Sequence, residues 1–297
     1  MTPHLSVDER KLLLLRVTSV AVLTAFVLAL AKLLTWYWSG SIAVLASSID
    51  SALDVGASLL NALAVRYAMK PADAEHRFGH GKSEAFAGLL QALLIASSAG
   101  FILHGAIERW YAPRVLQEVG ISLTLMALSL TATCALVLYQ HRVVQQTGST
   151  AVKADAFHYA TDIAANAATL VALAVSPLGW TKVDPGLGAV IALLTAYTAL
   201  SVGWESVQVL MDRELPEIAR ERIRHIALHH PQARGMHDLR TRSAGPSVLI
   251  QFHLEVDPLM SVDESNHVVD QIVRELTEEF PGADVIVHQD SVGTRHG

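Results

Sequence analysis

The sequence predicts an α-helical membrane protein, with six transmembrane helices followed by a small cytoplasmic α/β domain. Three observations predict it. Of 297 residues, 52% are hydrophobic and only 17% charged, with a mean hydropathy of +0.37, whereas a soluble domain carries about 25% charged residues. Residues 1–212 contain six apolar runs, each long enough for a hydrocarbon core that needs about 20 residues. Residues 213–297 hold nine Arg, no Lys, fourteen acidic residues and eight of the fourteen His, the composition of an acidic, soluble tail. The same composition excludes other classes. A net charge of -6 leaves no basic surface to gather phosphates by counterion release, so no nucleic acid partner is expected. The single cysteine, Cys134, allows no intramolecular disulfide and no multi-cysteine cluster.

The apolar runs lie at 13–37, 41–65, 84–108, 118–141, 151–176 and 187–210. The first is too long for a signal-peptide core and no small-residue cleavage site follows it, so it is expected to stay in the protein. An even number of spans puts both termini on one side with the 66–83 and 142–150 loops. That side collects Arg10, Lys11, Arg16, Arg66, Lys70, Arg77, Lys82, Arg142 and Lys153, against Arg109, Arg114 and Lys182 opposite. The excess of positive charge predicts cytoplasmic termini and a cytoplasmic tail, split as domains 1–212 and 213–297.

Charges inside the spans carry the chemistry. In SIAVLASSIDSALDVGASLLNALAV only Asp50 and Asp54 are charged, and both lie near mid-bilayer at 1.5 Å per residue. Their i, i+4 spacing points both carboxylates along one helix face. The fifth span repeats the spacing in His158 and Asp162, with Asp155 one turn earlier. An Asp at a helix centre costs about 2.5–3.5 kcal/mol on insertion scales, so the group together costs on the order of 10 kcal/mol unless a cation offsets it. One imidazole and three carboxylates suit a tetrahedral divalent ion, and the imidazole favours Zn²⁺ or a similar transition ion over Mg²⁺ or Ca²⁺. Interhelical hydrogen bonding by protonated carboxylates is the competing explanation. Asp155 lines an access path or caps the helix, and is not counted as a ligand.

A second group lies in the loop after the second span. Asp73, His76 and His80 fall within eight residues of a segment broken by Pro71, Gly79 and Gly81, a backbone able to bring them round one ion or to leave them solvated. The tail reads as helix 216–230, strand 236–243, strand 247–256, helix 262–280 and strand 284–289. In VLIQFHLEV, Val248, Ile250, Phe252, Leu254 and Val256 alternate with a more polar face that includes His253. His288 and Asp290 share a strand face, and His237 opens the preceding hairpin. His225, His229, His230 and His296 are read as solvated. His104, Glu108 and His141 sit near span ends, where they reach the headgroups.

The motifs SxxDSxxD from Ser47 to Asp54, KPADAEHRFGHGKSE (70–84), HYATD (158–162), LMDRELP (210–216) and VIVHQD (285–290) together make the chain resemble the cation diffusion facilitator family over nearly its whole length. The resemblance implies a homodimer with a metallochaperone-like (ferredoxin-like) cytoplasmic domain in a bacterial inner membrane. Its implied activity is divalent metal cation/proton antiport, exporting Zn²⁺ and also Cd²⁺ or Fe²⁺. It implies that Asp50, Asp54, His158 and Asp162 form the transport site and that Asp73, His76 and His80 bind a second zinc. It implies a binuclear cytoplasmic zinc site at His237, His253, His288 and Asp290, and an interlock of Lys82 with Asp212 at the interface. One departure is visible: the family's bridging histidine falls on Asn266, with His267 next to it. An enzyme is not expected, since an intramembrane metalloprotease needs an HExxH helix and the chain has none. A membrane-anchored metal sensor or buffer is the remaining alternative, but it has no use for charges at mid-bilayer.

Overall fold

The computed structural model describes residues 6–39, 42–111, 120–175, 183–244 and 247–293. Arg114, Lys182 and His296 lie outside the described residues, as do positions 41, 118, 119 and 176 at the ends of expected spans.

Six long helices come first: α1 Val7–Ser39, α2 Ile42–Ala68, α3 Ser83–Tyr111, α4 Gly120–Thr147, α5 Thr150–Val175 and α6 Val183–Leu210. Among the described residues, four stretches are long and apolar enough to cross a membrane: Asp8–Trp38, Ser47–Ala68, Ser83–Tyr111 and Pro185–Leu210. α4 and α5 are of similar length, 28 and 26 residues. Polar turns extend several helices beyond the apolar runs, because hydropathy marks only the part suited to hydrocarbon. α1 starts early on a capping box, in which Ser6 Oγ accepts from the Glu9 amide at 3.3 Å and Glu9 Oε2 accepts from the Ser6 amide at 2.9 Å. Between α4 and α5, Gly148 takes φ +63°, and its amide donates to the Val144 carbonyl at 2.7 Å, ending α4 in one residue.

Small residues let the helices approach closely. α3 buries Ala85, Ala87, Gly88, Ala92, Ala99 and Ala106, and a methyl group placed on Gly88 would lie 2.6 Å from Ser206 Oγ of α6. Buried Glu84 accepts from Ser149 Oγ at 2.7 Å, tying α3 to the start of α5. Leu23, Phe26, Leu193 and Leu200 are exposed on the outside of these helices, a surface suited to lipid tails.

The chain divides into two compact units: one holds Lys11–Tyr67 and Ser83–Val207, the other includes the loop Ala68–Lys82 and the residues from Gln208 onward. In the second unit, α7 Glu217–His229 and α8 Val262–Glu279 pack on a sheet of β1 Gly235–Ala244, β2 Ser247–Val256 and β3 Ala283–Ser291, in the order β1-β2-β3. β1 and β2 are antiparallel and β2 and β3 parallel, the latter needing the crossover that α8 supplies. Ile250, Phe252 and Leu254 are fully buried against Ile223 of α7 and Val268, Ile272 and Leu276 of α8. Each contributes about 1.5–3 kcal/mol of apolar burial, which fixes the opposite face of β2 for polar side chains.

Candidate metal centres

Among the described residues, three groups of donors converge, each with ligand atoms within 4.8 Å of one another: Asp54, His158 and Asp162; Asp73, His76 and His80; and His237, His253 and Asp290.

In the helical unit, His158 Nε2 stands 3.1 Å from Asp54 Oδ1 and 3.9 Å from Asp162 Oδ2. His158 is buried, whereas Asp54 and Asp162 are half-buried, so the group has an open side. Asp50 is exposed and does not join these three donors, although it sits one turn from Asp54. Helical periodicity places both carboxylates on one face but does not aim both side chains at one point.

Beside this group lies a polar anchor. Asp155 is 1% exposed and accepts from Gln140 Nε2 of α4 at 2.7 Å and from Ser58 Oγ of α2 at 3.4 Å. The Ser58 hydroxyl also meets the Tyr159 hydroxyl at 2.7 Å. Three helices are therefore held together one turn from Asp54 and His158. Lys32 of α1 is a charge that the sequence reading did not single out: its Nζ donates to Ser51 Oγ of α2 at 2.7 Å. The rule that flagged Asp50 and Asp54, an ionised side chain within an apolar span, would have found it.

In the loop, Asp73 Oδ1 accepts from the backbone amides of His76 at 2.7 Å and Glu75 at 3.0 Å, folding the segment back on itself. This turn brings His80 Nε2 to 3.3 Å from Asp73 Oδ2 and the His76 and His80 rings to 4.6 Å between centroids. Gly79 supports it with φ +78°. The His76 amide, foremost, holds the Asp73 carboxyl below its usual range. A carboxylate kept ionised beside two imidazoles suits a divalent cation.

In the sheet, register explains the cluster. His237 pairs with His253 across β1 and β2, and His253 with His288 across β2 and β3, so three imidazoles stand in a row on one face. The pairing of β1 shifts between His237 and Arg240, where Asp238 takes φ +54°. Asp290, with its side chain 4% exposed, places Oδ2 2.8 Å from His253 Nδ1 and 3.4 Å from His237 Nε2, and Oδ1 3.4 Å from His288 Nε2. Glu255 adds a carboxylate oxygen 3.2 Å from His237 Nδ1, a partner not anticipated from the sequence. His237, His253 and Asp290 converge as a donor set that fits Zn²⁺, whereas His288, 61% exposed, reaches Asp290 without joining the converging three. Asn266 accepts from Gln289 Nε2 at 3.0 Å, while His267 is exposed and lies 3.9 Å from Asp263 of its own helix. Among the described residues, no imidazole from α8 enters the cluster.

Lys82 Nζ lies 2.9 Å from Asp212 Oδ1 within the same chain, and Arg242 Nη1 lies 3.1 Å from Asp212 Oδ2. Burial alone would raise the Asp212 carboxyl, but the Lys82 hydrogen bond and the Arg242 charge hold it below its usual range. The Arg242 guanidinium also sits over Phe78 at 4.7 Å.

Apolar helices with a metal-donor group inside them, followed by an α/β domain, are the arrangement of a multi-pass membrane protein that handles metal ions. The cation efflux transmembrane domain family matches residues 18–211, and the cytoplasmic domain of cation efflux proteins matches residues 215–292. Relatives include cation-efflux pumps FieF from Klebsiella pneumoniae, 42% identical over 93% of this chain and 92% of theirs, and from Salmonella agona, 41% identical over 95% of each chain. The FieF pump of Serratia proteamaculans is 42% identical over 90% of this chain and 89% of its own. The chain belongs to the cation diffusion facilitator family; it is a cation-efflux transporter with a cytoplasmic C-terminal domain, and not an enzyme.

Proposed function

We propose that the protein exports Zn²⁺, and with it Cd²⁺ and Fe²⁺, from the cytoplasm in exchange for protons. It works as a homodimer in a bacterial inner membrane with both termini cytoplasmic. The domain limits are 1–212 for transport and 213–297 for regulation. Asp50, Asp54, His158 and Asp162 take the ion in transit. Asp73, His76 and His80 take a second ion, and His237, His253, His288 and Asp290 hold regulatory zinc in the tail, while Lys82 and Asp212 brace the interface. The observation that carries this reading is the approach of His158 to both Asp54 and Asp162 on two helices.

Antiport follows from the donors. A carboxylate or imidazole must be free of its proton to bind metal, so loading the site releases protons and unloading takes them up. Oxygen donors dominate the four residues, which relaxes discrimination against Cd²⁺ and Fe²⁺, while His158 disfavours Mn²⁺. In the tail, bound zinc would offset the excess of acidic over basic residues and let two tails approach.

The test is zinc flux in proteoliposomes under an imposed pH gradient, with internal pH recorded simultaneously. Zinc entering as protons leave supports antiport. Zinc flux indifferent to the gradient, without proton movement, refutes it. Zinc binding with no flux in either direction identifies a membrane-anchored sensor or buffer instead.

A further inference from the structure

Lys32 has no part in the antiport scheme, yet it is an ammonium inside an apolar helix. α1 reads WYWS at its far end, and a lysine only a few residues before it could reach the headgroups by extending outward. It does not. Lys32 is half-buried, and its Nζ turns across to Ser51 Oγ of α2 at 2.7 Å. Ser51 itself is 3% exposed. Ser51 follows Asp50 and lies three residues before Asp54, so Ser51 and Asp54 share a helix face. The ammonium is therefore tethered to the helix face that carries Asp54.

The charge balance gives this placement a use. With a neutral His158, the three carboxylates exceed a divalent ion by one negative charge. Lys32 supplies the missing positive charge, and the loaded site with its tether is neutral. A neutral group crosses a low-dielectric interior and a membrane potential without electrical work, whereas a group of net charge -1 does not. A fixed positive charge beside the site also weakens ion binding, which speeds release. Lys32 does not touch the ion, and Ser51 sets where its charge sits.

Resting on the transport-site reading above, we propose that Lys32, held by Ser51, is the resident countercharge of the transport site: it makes the zinc-loaded state electrically neutral and keeps zinc from binding too tightly.

The test is isotopic zinc exchange in proteoliposomes at equal pH and equal zinc on both sides, which isolates the loaded half of the cycle. Wild-type exchange should be unaffected by an imposed membrane potential. Lys32→Gln keeps a hydrogen-bond donor for Ser51 but removes the charge; its exchange should become voltage-sensitive, with KM for zinc lower on the order of tenfold. Lys32→Arg should rescue both properties. Voltage-insensitive exchange in Lys32→Gln with KM within about twofold of wild type would overturn the proposal, as would voltage-sensitive exchange in the wild type. If Lys32→Gln does not yield a folded dimer, Ser51→Ala releases the tether and should shift KM in the same direction. An unchanged KM there counts against the countercharge. Asp54→Ala run alongside separates the two readings: full exchange in that variant removes the transport site itself, whereas its loss leaves the role of Lys32 to be decided by Lys32→Gln.

Discussion

Replacing Gln140 with Leu tests the polar anchor beside the proposed transport site. Gln140 and Asp155 are each 1% exposed, and the amide donates to the carboxylate at 2.7 Å. A hydrogen bond to a charged group is worth about 1.5–3 kcal/mol in soluble proteins. Interhelical bonds in membrane proteins average about 0.6 kcal/mol and reach about 1.7, because the unfolded chain in the bilayer also finds partners. Here the remaining donor, Ser58, is at 3.4 Å and is shared with Tyr159, so little is left to satisfy Asp155. The upper end applies, and Gln140→Leu should cost about 1.5–2 kcal/mol. At roughly 2–4 °C per kcal/mol for a chain of this size, the Tm of the purified protein should fall by about 3–8 °C. Gln145→Leu is the matched control on the same helix, since Gln145 is exposed and pairs with the exposed His141. Equal Tm values for the two variants would refute the anchor.

Asp50→His adds a second imidazole to the proposed transport site and should narrow transport toward Zn²⁺ in competition with Cd²⁺; an unchanged preference counts against Asp50 as a ligand. Because Asp212 is held below its usual range, its pairing with Lys82 and Arg242 stabilises the fold above the ordinary carboxylate pKa and fades as pH falls through the folded value. Asp212→Asn should thus lower Tm near neutral pH and match wild type in acid, by less than about 1 kcal/mol because the pair is partly exposed; a gap that widens in acid contradicts the assignment. Gly88→Leu should prevent assembly of the helical unit, seen as loss of the monodisperse protein, since even a methyl would crowd Ser206. His288→Ala should abolish zinc-induced approach of paired tails in a distance measurement, and unchanged closure would remove His288 from the proposed regulatory site.

The fold class was legible because two periodicities are strong in this chain. Long apolar runs marked the helices, and the alternation of Val248, Ile250, Phe252, Leu254 and Val256 marked a strand whose apolar face the structure buries. What was hidden depends on contacts between distant residues. Asp155 could not be distinguished from a cap because its partners, Gln140 and Ser58, lie 15 and 97 residues away. Spacing i, i+4 treated Asp50 and Asp54 alike, yet only Asp54 meets His158. In the sheet, the row of His237, His253 and His288 depends on strand register and on an irregularity after His237, and neither has a reliable sequence signature. Lys32 is legible from sequence as a lone ammonium in an apolar run, but its turn toward Ser51 of α2 is a tertiary contact that no local pattern encodes.

The central proposal is that Asp54, His158 and Asp162, joined by Asp50, hold the transported ion inside the helical unit. The most direct measurement is zinc flux in proteoliposomes containing Asp54→Ala, with folding, dimerisation and metal binding by the tail checked on the same preparation. Flux should fall at least about tenfold in a correctly folded dimer whose tail still binds zinc, because Asp54 is the α2 carboxylate that meets His158 and the three donors left, Asp50, His158 and Asp162, no longer close a tetrahedron. Wild-type flux from Asp54→Ala would contradict it.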